Sequence, residues 1–122
     1  MSNWVRVYDM KTLFIRCEYI TAENPRGKHN LVRDHFMVKV KTDHEGAVSH
    51  WFVDDRTCCF YTKLTKYDEN EILFEGSEFA GQTGSLHINR LTKTFTQTSD
   101  TNGEWLILRG DSSLVESEQC LA

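Results

Sequence analysis

The chain has 122 residues, of which 39% are hydrophobic and 11% aromatic, a size and composition typical of one folded domain and not of a disordered chain. Its formal net charge of −4 disfavours general nucleic-acid binding, because the molecule's field repels a phosphate backbone. No segment has the ~18 consecutive apolar residues of a membrane span, and the first residues lack a signal-peptide pattern. The sequence therefore predicts a soluble cytoplasmic domain without nucleic-acid or membrane partners.

The first part of the chain contains two predicted strands, residues 4–8 and 12–21. Alternating apolar residues of the second strand share one face of a sheet: Leu13, Ile15, Cys17 and Tyr19. The alternation leaves open which face is inward, because the opposite face carries Phe14 and Ile20 as well as charged residues.

Residues 22–34 are predicted to form a loop. This segment holds the only proline of the chain and has few apolar anchors. It is also the most basic segment, and loops of this length often carry function. Its basic side chains are the predicted contact residues: Arg26, Lys28, His29 and Arg33. A solvated loop without a partner is the alternative interpretation.

A strand at 35–42 shows strict alternation of apolar and polar side chains, and a turn at 43–46 follows it. This turn pairs Thr42 with Ala47 in the next strand. The inward residues of the two strands are then Phe36, Val38, Val40, Trp51 and Val53.

Two further strands, 58–64 and 71–75, are separated from their neighbours by turns at 54–57 and 66–70. The alternation predicts these inward residues: Cys58, Phe60, Thr62, Leu64, Ile72 and Phe74. The side chains between those of 58–64 are predicted to face outward: Cys59, Tyr61 and Lys63.

A hairpin follows, with strands at 85–90 and 94–98. A four-residue loop at 90–93 pairs Asn89 with Thr94 and brings Ile88 opposite Phe95. The octet from Ile88 to Phe95, INRLTKTF, resembles a hairpin of small β-rich bacterial proteins in which glycine occupies the position of Lys93. The resemblance covers eight residues and implies no activity.

The last predicted strand, 104–109, follows a turn at 99–103 that contains the Asn-Gly dipeptide, a strong hairpin signal. A five-residue loop pairs Thr98 with Glu104. This register puts Trp105 and Ile107 on the inner face, beside Phe95. It turns two leucines to the opposite face: Leu106 and Leu108.

These elements predict one all-β domain over residues 1–122: an antiparallel up-and-down meander of eight or nine strands that closes into a small barrel or sandwich. Residues 111–122 are predicted to be a tail or a short C-terminal helix, since Ser113 and Glu116 have capping-box spacing.

The leading functional hypothesis is a non-catalytic binding module for an unknown protein partner or a second copy of the chain. The predicted contact residues are Arg26, Lys28, His29, Arg33, Leu106 and Leu108. Alternatively, Leu106 and Leu108 are covered within one chain by a neighbouring strand or the tail. A second hypothesis is a calycin-like barrel that holds a small apolar ligand between aromatic side chains. These are Trp51, Phe60, Phe74, Phe95 and Trp105.

Catalysis is the remote hypothesis. The predicted register brings His35 opposite Asp54, and Cys59 shares their face, which suggests a hydrolase with a Cys/His site. No oxyanion-donor loop accompanies them, so the sequence predicts no catalytic residue. The four cysteines are predicted to be thiols, and no two of the five histidines converge as metal ligands. No metal or cofactor is therefore expected.

Overall fold

The computed structural model describes residues 11–31, 34–54, 61–76 and 82–115. This part of the chain is all-β, as predicted. Its strands are β1 (Lys11–Asn24), β2 (Gly27–Asn30), β3 (His35–Thr42), β4 (Val48–Asp54), β5 (Lys63–Tyr67), β6 (Glu71–Glu75), β7 (Gln82–Asn89), β8 (Thr94–Thr101) and β9 (Glu104–Val115). Strand β9 extends to Val115, so the first residues of the predicted tail or helix are β-strand. The predicted strand 4–8 lies outside the described residues.

The strands form one antiparallel sheet in the order β4-β3-β1-β9-β8-β7-β6-β5, with β2 paired to β1 outside this path. Strand β1 is therefore a neighbour of β9 in the middle of the order. The sheet curls until its two ends approach each other. The ring centroids of Trp51 on β4 and Phe74 on β6 lie 4.9 Å apart. The meander is a nearly closed barrel.

The barrel interior is filled by the inward faces that the alternation predicts for most strands. Buried apolar side chains form one cluster: Ile15, Cys17, Tyr19, Phe36, Val38, Val40, Tyr61, Ile72, Phe74, Leu86, Ile88, Phe95 and Leu108. The rings of Tyr19, Phe36 and Phe95 are in mutual contact, with centroids 5.2 to 5.6 Å apart. The Tyr61 prediction was wrong, since its side chain is buried and not outward.

The segment predicted as a loop, 22–34, is mostly a hairpin. Strand β1 continues to Asn24, and β2 returns along it after a turn at Pro25 and Arg26. The Asn24 side-chain oxygen accepts a hydrogen bond of 2.9 Å from the Arg26 N–H. Asparagine at the first position of a turn, proline at the second and glycine at the fourth are typical turn chemistry. This signal contradicts the loop prediction, which rested on low apolar content.

The register predicted for the last hairpin was also wrong. Thr101, and not Thr98, pairs with Glu104, so the loop has only two residues. Both have the positive φ that this tight turn requires, 53° at Asn102 and 92° at Gly103. An odd change in register exchanges the two faces of a strand. Leu108 consequently lies in the core opposite Gln97, and Trp105 lies on the outer face.

The other hairpins keep their predicted faces, with register differences in two of them. Ile88 pairs with Phe95 as predicted. Between β3 and β4 a bulge follows Lys41, and Trp51 pairs with Val40 in place of Val38. Between β5 and β6, Leu64 pairs with Phe74 instead of Ile72. Both differences are even, so the paired inward residues stay inward. The prediction for Thr62, just before β5, was wrong: Thr62 is exposed, and its neighbour Tyr61 is buried in its place. Across the described ranges, no helix has the length and hydropathy needed to cross a membrane.

Candidate functional site

A pocket of about 340 Å³ lies at the barrel end that carries the β5–β6 and β7–β8 turns. Two buried isoleucines, Ile15 and Ile88, contribute apolar surface to it. The remaining lining residues come from the two turns and the end of β9: Glu69, Arg90, Lys93, Ser112, Ser113 and Leu114. The described part of the pocket thus combines an apolar floor with a mostly polar rim that carries two cations and one carboxylate.

The β7–β8 turn on this rim is held by its own side-chain and backbone hydrogen bonds. The Asn89 side-chain oxygen accepts hydrogen bonds of 3.0 Å from the N–H groups of Leu91 and Thr92. Lys93 has a φ of 59°, at the position that glycine occupies in the resembling hairpins. The Lys93 carbonyl accepts a hydrogen bond of 2.9 Å from the N–H of Ser112 on β9. The turn is therefore fixed against the wall of the pocket.

Arg90 links this turn to the β5–β6 turn. Its guanidinium donates a hydrogen bond of 2.8 Å to the Asp68 carbonyl and lies over the Tyr67 ring, 5.7 Å from its centroid. Its backbone N–H donates to the Asn70 carbonyl at 2.8 Å. The Arg90 side chain thus makes contacts within the protein that connect the two turns of the rim.

Asp68 organises the β5–β6 turn. Its carboxylate accepts hydrogen bonds from the N–H groups of Asn70, at 2.7 Å, and Glu71, at 2.8 Å. These two hydrogen bonds, the one from Asn70 first, hold the pKa of Asp68 below its ordinary value, with help from the charges of Lys66 and Arg90. The turn that carries Glu69 is therefore built on an ionised carboxylate.

The side chains of Glu69, Lys93 and Leu114 make no internal contact of this kind with the described residues. Within the part of the chain that the structure describes, the Lys93 ammonium has no hydrogen-bond acceptor and no carboxylate partner. Leu114 leaves 63% of its surface exposed. Among the described lining residues there is no histidine or cysteine. Their apolar, hydroxyl and charged side chains are suited to holding a molecule by non-covalent contacts.

The predicted partner-contact residues lie elsewhere. Arg26 is exposed in the β1–β2 turn, with its guanidinium 3.3 Å from the Glu104 carboxylate, and Lys28 and His29 are exposed on β2. Leu108 is buried at 5% exposure and Leu106 packs against the core. Neighbouring strands cover both leucines within one chain, which was the alternative interpretation. Arg33 lies outside the described residues.

The four predicted cavity residues that the structure describes do not line this pocket. Phe74 and Phe95 are buried and in contact with other aromatic rings, and Trp51 packs on Phe74. Trp105 is on the outer face, opposite Asp100. Phe60 lies outside the described residues.

The hypothetical Cys/His arrangement is not assembled as predicted. His35 pairs with Glu18 on β1, and Asp54 pairs with Met37, because the β3–β4 register differs by two residues. Cys59 lies outside the described ranges. Among the residues of those ranges, no group of three or more histidine, cysteine, aspartate or glutamate side chains could hold a metal ion.

A buried polar contact inside the barrel was missed by the sequence analysis. The Tyr19 hydroxyl donates a hydrogen bond of 2.9 Å to the Gln97 side-chain oxygen, and the Gln97 amide donates one of 2.6 Å to the Tyr61 hydroxyl. The available signal was the position of Gln97, two residues beyond the inward Phe95 on the same strand.

Comparison with known proteins gives no relative. No protein-family model, no curated protein and no solved structure matches this chain. The function is therefore inferred from the geometry of the barrel-end pocket alone.

Proposed function

We propose that the protein is a non-catalytic binding module and that the barrel-end pocket holds a small molecule with an apolar part. One observation carries this proposal: the pocket joins buried apolar surface from Ile15 and Ile88 to a polar rim. Ligand sites are usually concave, largely apolar and supplied with a few polar groups. The volume of about 340 Å³ is near the lower end of the ~300–1,000 Å³ typical of such sites, which favours a small ligand.

The packing of the barrel interior supports a ligand at this end of the barrel. Phe74 contacts both Trp51 and Tyr61, and Phe95 contacts both Tyr19 and Phe36. Their rings occupy the space that a deeply bound apolar ligand would need. The exposed Leu114, in contrast, offers apolar surface at the pocket that a ligand would remove from water.

Titration with 1-octanol, followed by amide chemical shifts, tests this proposal. We expect shifts at Lys93, Ser112 and Ser113. Leu114→Asp places a charge in the apolar wall and should weaken octanol binding about tenfold, since a lost apolar contact of this size is worth on the order of 1.5 kcal/mol.

The matched control is Leu91→Asp. Leu91 is 71% exposed in the neighbouring turn and does not line the pocket, so the same substitution should leave octanol binding unchanged. Equal affinity of the wild type and both variants, or the absence of any shift at the pocket, would contradict the proposal.

A second candidate function is contact with another copy of the chain through β4. This strand stands at the end of the sheet order, and Phe52 on its outer face is 49% exposed. Exposed edge strands with apolar side chains favour strand pairing between chains. Sedimentation analysis should then show a concentration-dependent dimer that Phe52→Ser shifts toward monomer. A monomer at all concentrations would exclude this function.

A further inference from the structure

We propose that the ligand of the barrel-end pocket is an amphipathic anion, a carboxylate on a small apolar body, and that Lys93 is the counter-ion of its acid group. This inference rests on the proposed function and adds the charge of the ligand to it. It depends on the different environments of the two rim cations, on the pocket walls and on the rigidity of the β7–β8 turn.

Of the two cations among the described rim residues, Lys93 is the one whose side chain is not engaged by other parts of the protein. The Arg90 guanidinium is engaged by the Asp68 carbonyl at 2.8 Å and by the Tyr67 ring. The Lys93 ammonium makes no such contact with any residue in the described ranges. An ammonium beside a partly apolar pocket gains most from a ligand that brings a negative charge.

The charges lining the pocket favour the same sign of ligand. Among the described residues that line it, two cations and one carboxylate, Glu69, leave one positive charge in excess. Glu69 is exposed in the β5–β6 turn. Ser112 and Ser113 add hydroxyl groups, which can donate hydrogen bonds to an acid group. The rim therefore suits an anion better than a cation.

The other walls of the pocket favour a ligand that also has an apolar body. Ile15 and Ile88 are exposed by 2% or less and form the floor, while Leu114 is 63% exposed. A hydrocarbon group laid between them would cover Leu114 and exclude water from the rim. Exclusion of water strengthens the contact between Lys93 and an acid group.

The backbone of Lys93 is also held in place before a ligand arrives. Its backbone φ of 59° is maintained by the capped turn, and its carbonyl is bound to the Ser112 N–H on β9. Less backbone freedom is lost on binding when the turn is fixed in advance.

Three probes of equal chain length test the charge: octanoate, octanamide and octylammonium at pH 7. Binding is followed by amide shifts at the pocket and by calorimetry. Octanoate should bind about five to ten times more tightly than octanamide, the range for one charge contact that is partly shielded from water. Octylammonium should bind most weakly. Raising the salt concentration should reduce the preference for octanoate.

Variants of Lys93 test whether its charge causes the preference for octanoate. Lys93→Met should bring octanoate to the affinity of octanamide, and Lys93→Arg should keep the preference. Lys41→Met is the matched control, because Lys41 is an exposed cation on β3 that does not line the pocket, and it should change nothing. The circular dichroism spectrum of each variant confirms its fold.

The outcomes separate the two proposals. If octanoate and octanamide bind equally at the pocket, or octylammonium binds best, the anion inference is wrong and the binding function stands. If none of the three probes shifts the pocket amides, both proposals are wrong. If Lys41→Met removes the preference as Lys93→Met does, the preference reflects net charge and the assignment to Lys93 is wrong.

Discussion

Gln97 is a buried polar residue of the barrel interior whose hydrogen bonds help to fix the register of β8. Its side chain is fully buried and bonded to Tyr19 on β1 and to Tyr61, which precedes β5. A one-residue slip of β8 would turn the amide outward and leave the two hydroxyls without it. Because each hydrogen bond lost in this way costs about 0.5–1.5 kcal/mol, the contact favours one register over its neighbours.

Asp68 makes stability depend on pH. Its folded pKa is lowered, so the folded protein binds a proton at this site less readily than the unfolded chain. The resulting stabilisation is complete above the ordinary pKa of 3.8 and is lost as pH falls through the lower folded pKa. Asp68→Ala should therefore be less stable than wild type at pH 7, with a smaller difference at pH 3.

Urea denaturation at pH 7, 4 and 3 measures this difference. Asp68→Asn is the control, since its amide oxygen still accepts the hydrogen bonds from Asn70 and Glu71 but cannot titrate. A wild-type advantage that is constant over this pH range would show that the carboxylate charge contributes nothing.

The tight hairpin between β8 and β9 decides which face of β9 is buried. Gly103 has a φ of 92° and open space where a Cβ would stand. Gly103→Ala should cost about 1–2 kcal/mol through the backbone alone, because alanine disfavours positive φ.

Chemical denaturation tests this cost. Thr101→Ala, at an exposed position beside the turn, should change stability by less than about 0.5 kcal/mol. Equal stability of Gly103→Ala and wild type would mean that the turn adopts another conformation in solution.

The inward face of a strand was predictable from the sequence where it does not depend on the length of the preceding turn. Alternation alone places Val38, Ile72 and Ile88 inward, because successive side chains of a strand point to opposite sides. For Ile15 it left the inward face open, since both faces of that strand carry apolar residues. The face of β9 was not predictable in the same way. It depends on whether the loop has two residues or five, and the alternation of apolar residues is compatible with both.

The pocket could not be predicted from local sequence. Glu69, Lys93 and Leu114 lie in three separate elements. They meet because β9 pairs with both β8 and β1, and the pairing with β1 involves residues from opposite ends of the chain. The alternation of apolar residues within a strand does not indicate which distant strand pairs with it. The turn at 90–93 was predicted correctly, but nothing in the sequence indicated that its Lys93 lines a pocket.

At the scale of the whole molecule, the two ends of the sheet meet through Trp51 and Phe74. Trp51→Ala should cost about 3 kcal/mol, the lower end of the range for buried aromatic residues, because Trp51 is only partly buried. Trp105→Ala, on the outer face, should cost about 1 kcal/mol or less.

Urea unfolding of both variants checks this order. The expected order of the two losses differs from the interpretation drawn from the sequence, which placed both tryptophans on the inner face. A larger loss of stability for Trp105→Ala than for Trp51→Ala would mean that Trp105 lies on the inner face and that the two-residue hairpin is wrong.

The pairing of β1 with β9 has a consequence for how the chain folds. Phe14 lies beside Val115, roughly a hundred residues further along the sequence. Hairpins such as β7–β8 can form within about 1–10 μs, whereas a contact of such long range must wait for most of the chain to be arranged. Until β1 arrives, β9 has an open edge of unpaired backbone N–H and C=O groups. During that interval, correct closure competes with strand pairing between different molecules.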